Sequence, residues 1–136
     1  MIKPIIRDIL FLSKKSSVAT KNDIPTANDL LDTLKANTKR CVGMAANMIG
    51  ISKRIIVFSA GPFFFTMFNP EIISHSAEYE TEEGCLSLDG IRKTKRYENI
   101  TVKFQDKDFK TKTQSFSGFT AQIIQHEIDH LNGIII

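Results

Sequence analysis

Apolar residues recur with helical spacing in one segment early in the chain. The positions that share this spacing are Ala27, Leu30, Leu31 and Leu34. Such spacing places apolar side chains on one face of a helix. Asp23 and Pro25 stand just before them, and an acidic residue followed by a proline is a common helix start. The pattern predicts an amphipathic N-terminal helix that ends near Asn37.

Runs of β-branched and alternating apolar residues in the middle of the chain predict strands. The predicted strands cover residues 54–58, 66–73, 99–105 and 110–116. Gly61 and Pro62 would end the first of them, and Asp106 with its neighbours would form a hairpin turn before the last. The small residues from Gly43 to Gly50 predict a loop.

A second apolar stripe with helical spacing lies near the C-terminus. Its members are Phe119, Ile123, Ile124, Ile128 and Leu131. A stripe this broad is typical of a helix that the core surrounds. Ser117 and Gly118 lead into it, and Gly133 is suited to end it. The order helix, strands, helix predicts an α+β fold in which antiparallel sheets pack around this central helix.

Composition narrows the class of protein further. A chain of 136 residues with 42% hydrophobic residues suits one domain, so residues 1–136 are expected to form a single unit. The apolar runs are too short to cross a bilayer and the N-terminus lacks a signal-type apolar segment, which favours a cytoplasmic protein without membrane contact. A net charge of +3 is mild and does not indicate sequence-specific nucleic-acid binding.

Within the C-terminal segment, two histidines and a glutamate have a spacing that suits a metal site. His126 and His130 are four residues apart, so their imidazoles would stand one turn apart on a helix and converge on one ion. Glu127 could reach a water on that ion and take its proton. Because buried histidines and carboxylates are costly without partners, we expect this helix to carry a metal.

A third ligand is predicted from residues 83–87, where Cys85 follows a glycine. A thiolate presented there by a turn between strands would complete a site of two imidazoles and one sulfur. Three protein ligands leave a position for water or substrate, which is the arrangement of a catalytic metal. We expect both cysteines to be reduced, since the chain shows no export signal. Cys41 is predicted to be a small buried residue, with a redox or extra-ligand role as the alternative.

The sequence EGCLS at residues 83–87 and the sequence QHEIDHLNG at residues 125–133 closely resemble two signature motifs of the peptide deformylases. A third motif of that family, GxGxAAxQ, is similar to residues 41–48. The resemblance covers nearly the whole chain, from the predicted N-terminal helix to Gly133. It implies a metal-dependent hydrolase that removes the N-formyl group from the N-formylmethionine of newly made polypeptides and releases formate.

The resemblance also implies roles for individual residues. Cys85, His126 and His130 would hold the metal, commonly Fe²⁺ in this family, with Zn²⁺ or Ni²⁺ able to occupy the same site. Glu127 would move the proton, and the backbone N–H of Leu86 would stabilise the oxyanion. The implied partners are N-formylmethionyl peptides of nascent chains, with a transient contact to the ribosome.

Residues around these motifs are predicted to complete the site. Candidates for the pocket of the substrate's methionine side chain are Val42, Gly43, Met44 and Ile123. Core packing is an equal alternative for the apolar members of this group. Glu83 stands two residues before the ligand cysteine, where it suits an acceptor or an ion pair with Arg92 or Arg96 that orients the ligand turn. A solvated carboxylate is the alternative for Glu83.

Two positions depart from the family's third motif, with Cys41 in place of its first glycine and Met48 in place of its glutamine. The glutamine amide is taken to donate to the oxyanion, and a thioether has no hydrogen to donate. Loss of one such donor typically costs about 10²–10³ in rate. Asn47 carries an amide, but neighbouring residues of an extended loop point to opposite sides, so it would serve only after a shift of register.

Met48 therefore motivates a second hypothesis: a deformylase-like metal-binding protein with weak or no turnover that acts as a peptide-binding module. A third hypothesis, a metalloprotease of the HExxH type, requires a different third ligand, and the EGCLS segment argues against it. The formate-releasing hydrolase is the leading hypothesis.

Overall fold

The structure, a computed structural model, describes residues 1–85 and 87–136, and of Leu88 it describes the backbone. The helices of this part of the chain are α1 at Ile9–Leu12, α2 at Ile24–Ala36 and α3 at Gly118–Leu131. Short 3-10 helices cover Lys21–Asp23 and Ala46–Ile49. The strands are β1 at Gly43–Ala45, β2 at Ile55–Ala60, β3 at Phe63–Cys85, β4 at Leu88–Gln105 and β5 at Thr111–Ser117.

The strands form one sheet in the order β1-β2-β3-β4-β5, and every neighbouring pair is antiparallel. The predicted class, helices with an antiparallel sheet, is confirmed. The strands predicted at 66–73 and 99–105 are too short, because β3 and β4 continue as one long hairpin to Cys85 and Leu88. Residues 74–98 of this hairpin include oppositely charged cross-strand pairs, such as Glu82 opposite Lys93, instead of an apolar alternation.

The helices lie close to where their apolar spacing predicts them. α2 begins at Ile24, has Pro25 in its first turn and ends at Ala36. α3 begins directly after Ser117 and ends at Leu131. None of the helices in the described residues is long and apolar enough to cross a membrane.

Strand β2 separates two hydrophobic clusters, because alternate residues of a strand point to opposite faces of the sheet. Ile56 and Phe58 belong to the cluster that includes the apolar side of α3, whereas Ile55 and Val57 belong to the cluster that includes α2. All four side chains are at most 1% exposed. Burying one such side chain contributes about 1.5–3 kcal/mol, so both helices are anchored along this strand.

The segment from Gly43 to Gly50, predicted as a loop, contains a strand and a 3-10 helix instead. β1 pairs with β2, with Gly43 opposite Phe58 and Ala45 opposite Ile56. Small side chains let this backbone lie close to α3, and hydrogen bonding to β2 then satisfies its polar groups. The pairing places this segment of the chain beside the helix that carries the histidines.

Candidate active site

Helix α3 presents one stripe of residues to a cavity of about 710 Å³. The residues of this stripe, spaced three and four apart, are Phe119, Gln122, Ile123, His126 and Glu127. Further walls come from residues 38–43 and from the ends of β3 and β4 that approach Cys85. Phe119 is 64% exposed and Glu127 is 4% exposed, so the cavity leads from the surface into the core.

Cys85, His126 and His130 come together at the inner end of the stripe. Their candidate ligand atoms lie within 4.8 Å of one another, and the Nε2 atoms of the two histidines are 3.1 Å apart. Two nitrogen ligands at about 2.1 Å from one tetrahedral ion lie roughly 3.4 Å apart, so this donor set fits one divalent cation. A thiolate with two imidazoles suits a transition metal better than Mg²⁺ or Ca²⁺.

The carboxylate of Glu83 fixes the ring of His126. Its Oε1 lies 2.7 Å from Nδ1 of His126, and Arg96 donates to both of its oxygens at 2.7 and 3.0 Å. Burial raises the pKa of Glu83, but hydrogen bonds from His126, Arg96 and Gln122 outweigh burial and lower the pKa to about 2. With Nδ1 held by an ionised carboxylate, Nε2 of His126 is the atom available to a metal.

The two histidines have opposite pKa shifts because they share one site. Burial lowers the pKa of His126, but hydrogen bonds with Cys85 and Glu83, together with the charge of Glu127, raise it to about 10. Burial and the nearby charge of His126 lower the pKa of His130 to about 3. A proton on His126 therefore competes with a cation, as expected for ligands that must be deprotonated to bind.

Glu127 is a buried carboxyl group whose Oε1 has no hydrogen-bond partner among the described residues. Burial raises its pKa to about 7, with a smaller lowering by His126 and a smaller rise from Glu83. A carboxyl group with a pKa near neutrality can both accept and return a proton. The absence of a side chain at Gly43 leaves room for the Glu127 carboxylate, because a Cβ at Gly43 would lie 2.9 Å from Oε2 of Glu127 and 2.8 Å from Cγ2 of Ile123.

Of the residues predicted to form the substrate pocket, Val42, Gly43 and Ile123 line the cavity. Met44 does not, because it is fully buried in the cluster that includes α2. Consecutive residues of a strand point to opposite faces, so Gly43 faces α3 and Met44 faces the other core. The structure thus assigns Met44 to the packing alternative.

Met48 and Asn47 point to different surroundings. Met48 lines the cavity, and its Sδ accepts a hydrogen bond from the N–H of Ala45 at 3.4 Å. The Nδ2 of Asn47 donates instead to the backbone oxygen of His130 at 2.8 Å. Asn47 therefore supports the helix that carries the histidines. The predicted oxyanion donor, the N–H of Leu86, lies outside the described residues.

Three residues of the site were not predicted from the sequence. Gln122 donates to Oε2 of Glu83 at 2.9 Å, and the hydroxyl of Tyr79 donates to Oε1 of Gln122 at 3.5 Å. Asp129 accepts a hydrogen bond of 2.7 Å from Nη1 of Arg96. Helical spacing was a usable signal for Gln122 and Asp129, since they lie four residues before and three residues after His126 on α3.

Cys41 lines the cavity but does not belong to the donor group formed by Cys85 and the two histidines. Both cysteines are free thiols, as predicted. Burial, followed by the charges of Glu127 and Cys85, raises the pKa of the Cys41 thiol to about 11. At neutral pH this residue is therefore a protonated thiol in the wall of the cavity.

Comparison with known proteins points to one family. The family model for polypeptide deformylase matches residues 5–136. A peptide deformylase of Clostridium beijerinckii is 61% identical over 136 residues, which is 100% of both chains. The crystal structure of the peptide deformylase of Thermotoga maritima has a TM-score of 0.89 and 30% identity, covering 99% of this chain and 95% of its own. A class I type b peptide deformylase of Acinetobacter baumannii, in a structure bound to Met-Ala-Ser, has a TM-score of 0.88 and 30% identity. The match covers 99% of this chain and 97% of the Acinetobacter baumannii chain.

Proposed function

Because the chain belongs to the peptide deformylase family and removes the N-formyl group from newly made polypeptides, we propose that its active site is the cavity along α3. In this proposal residues 1–136 act as one catalytic domain. The observation that carries the proposal is that a three-residue donor set, of which Cys85 and His126 line the cavity, lies beside one buried carboxyl group, Glu127, on the same cavity wall. This arrangement suits hydrolysis with an activated water.

The proposed ligands of the metal are Cys85, His126 and His130. Fe²⁺ is the proposed native ion, and Zn²⁺ and Ni²⁺ suit the same sulfur and nitrogen donors. When bound, a divalent cation supplies Lewis acidity that brings the pKa of water towards neutrality. Glu83 holds His126 in the tautomer that leaves Nε2 to the ion, and Arg96 holds Glu83 in place.

Glu127 is the proposed general base and general acid. Its carboxylate accepts a proton from the water that attacks the formyl carbon, and it then delivers that proton to the nitrogen that leaves. The C–N bond of the formamide breaks, giving formate and a free amino terminus. Burial raises the pKa of Glu127 above its ordinary value, which favours both halves of this transfer because the protonated and the ionised form are then both accessible near neutral pH.

The oxyanion of the tetrahedral intermediate is proposed to receive a hydrogen bond from the backbone N–H of Leu86. Met48 cannot supply a second one, because its thioether only accepts, and the amide of Asn47 is bonded to His130. The site therefore works with one donor fewer than the family motif provides.

The proposed pocket for the substrate's methionine consists of Val42, Gly43 and Ile123, which line the cavity beside the site. The Met-Ala-Ser complex of the Acinetobacter baumannii relative supports a peptide of this kind as the bound product. Because nascent chains are the substrate, we place the activity in the cytoplasm and propose a transient contact with the ribosome.

The experiment that tests these assignments measures formate release from a formyl-Met peptide by anaerobically prepared, Fe²⁺- or Ni²⁺-loaded protein. We expect measurable release by the native protein and a faster rate for Met48→Gln, by about 10²-fold if the new amide fully restores the missing donor. Equal rates would show that another group already completes the oxyanion site. Absence of release by both proteins at full metal content would reject the proposed site chemistry.

A further inference from the structure

Gln122 is a polar residue beside the apolar part of the cavity wall that Phe119 and Ile123 form. On α3 it stands beside Ile123 and between Phe119 and His126, and all four side chains line the cavity. It is half-buried, and its amide is held at both ends by the protein.

The orientation of this amide follows from its partners. The carboxylate of Glu83, held by Arg96, can only accept hydrogen bonds, so the atom that faces it at 2.9 Å must be the Nε2 of Gln122. The hydroxyl of Tyr79 then lies at the Oε1 end, at 3.5 Å. Nε2 carries two hydrogens and the bond to Glu83 uses one of them. The other has no acceptor among the described residues, so it remains for a molecule in the cavity.

The distance along the helix places this N–H where a methionine side chain would end. Gln122 lies four residues before His126, which corresponds to about 6 Å along the helix axis. The scissile bond is at the metal site, and the Cα of the substrate's first residue is one bond beyond the leaving nitrogen. A methionine side chain that runs from there along the stripe of α3 towards Phe119 would reach roughly 5 Å from its Cα, which would bring its sulfur and methyl group level with Gln122 and Ile123.

We propose that Gln122 is a specificity-determining residue, whose second N–H donates a weak hydrogen bond to the thioether sulfur of the substrate's first residue. The inference rests on the proposed function, since it takes the α3 cavity as the active site. The thioether is a weak acceptor and a methylene group is none. Gln122 therefore favours methionine over norleucine, which has nearly the same shape but carries a CH₂ group in place of sulfur.

The test compares kcat/KM for formyl-Met-Ala-Ser and formyl-norleucine-Ala-Ser in native protein and in Gln122→Leu. A net hydrogen bond at the weak end of the usual range corresponds to roughly two- to threefold, so we expect the ratio of the two values to move about twofold towards norleucine in the variant. Loss of the bond to Glu83 affects both substrates equally, so the ratio does not report it. Thr120→Ala, on the same helix but outside the cavity lining, should leave the ratio unchanged.

Two further outcomes decide the inference. An unchanged ratio in Gln122→Leu at full metal content, or an equal shift in Thr120→Ala, would overturn it. If neither peptide is turned over, the proposed function fails, and binding of unformylated Met-Ala-Ser and norleucine-Ala-Ser, measured by calorimetry, still decides the role of Gln122. We expect native protein to favour Met-Ala-Ser more than the variant does, and equal relative affinities in the two proteins would overturn the inference.

Discussion

Replacing Gly43 with alanine tests how closely the site depends on the contact between β1 and α3. The added Cβ would lie 2.8 Å from Cγ2 of Ile123 and 2.9 Å from Oε2 of Glu127. Ordinary van der Waals contact begins at 3.4 Å, so the two elements must separate by about 0.6 Å or the Glu127 carboxylate must turn away. Both neighbours are buried on a packed helix, so neither can move without disturbing the wall of the cavity.

Overpacking of this kind costs about 1–3 kcal/mol, and displacing a reacting group by up to about 1 Å costs about 10² in rate. We therefore expect Gly43→Ala to unfold roughly 3–10 °C lower than the native protein and to release formate about 10²-fold more slowly. Thermal unfolding, metal content and formate release from a formyl-Met peptide measure the three effects separately.

Gly61→Ala is the matched control, because Gly61 has a φ of 60° and an added Cβ there meets nothing within 4 Å. It should lose about 1–2 kcal/mol through backbone strain while keeping its turnover. The reasoning would be refuted if Gly43→Ala retained native turnover at full metal content, or if both variants lost turnover in proportion to stability.

Two other predictions concern groups around the metal site. Arg96→Leu should leave Glu83 buried without its cation, because the two side chains are 4% and 7% exposed. We expect a loss of about 3–5 kcal/mol in unfolding free energy, measured by denaturant titration, and a roughly 10–100-fold weaker metal affinity, measured by metal titration. Native-like values in both titrations would contradict this. With a pKa near 11, Cys41 should react with iodoacetamide at pH 8 roughly 100-fold more slowly than an ordinary thiol. Its reaction rate should then rise about tenfold for each pH unit up to about pH 10, because the thiolate fraction rises in the same proportion. Peptide mass spectrometry of metal-free protein measures this rate at Cys41, and labelling as fast as that of free cysteine would contradict the pKa.

Local spacing was enough to predict which candidate site residues lie together on one helix. His126, Glu127 and His130 are on α3, and their separation in the chain determines their separation in space. Leucines with helical spacing likewise predicted α2 within one or two residues of its ends. In both segments the spacing of apolar residues and their burial in the fold favour the same helix, so tertiary packing does not change the local preference.

Features that depend on pairing between segments far apart in the chain could not be predicted from local spacing. The hairpin of β3 and β4 was predicted too short, because cross-strand charge pairs leave no apolar alternation in either strand alone. For Met44 the pocket and the core were equal alternatives, because its position in the motif does not show which face of β1 it occupies. Tyr79 approaches Gln122 only because the long hairpin carries it there.

In the proposed site, Glu127 moves the proton while Cys85, His126 and His130 hold the metal. The most direct test measures metal stoichiometry and formate release in native protein and in Glu127→Gln, which keeps the size of the side chain and removes its basicity. We predict one ion per chain in both proteins, and turnover in the variant that is lower by about 10³-fold. Turnover by Glu127→Gln within tenfold of native, or a fully metal-loaded native protein that releases no formate, would contradict the account.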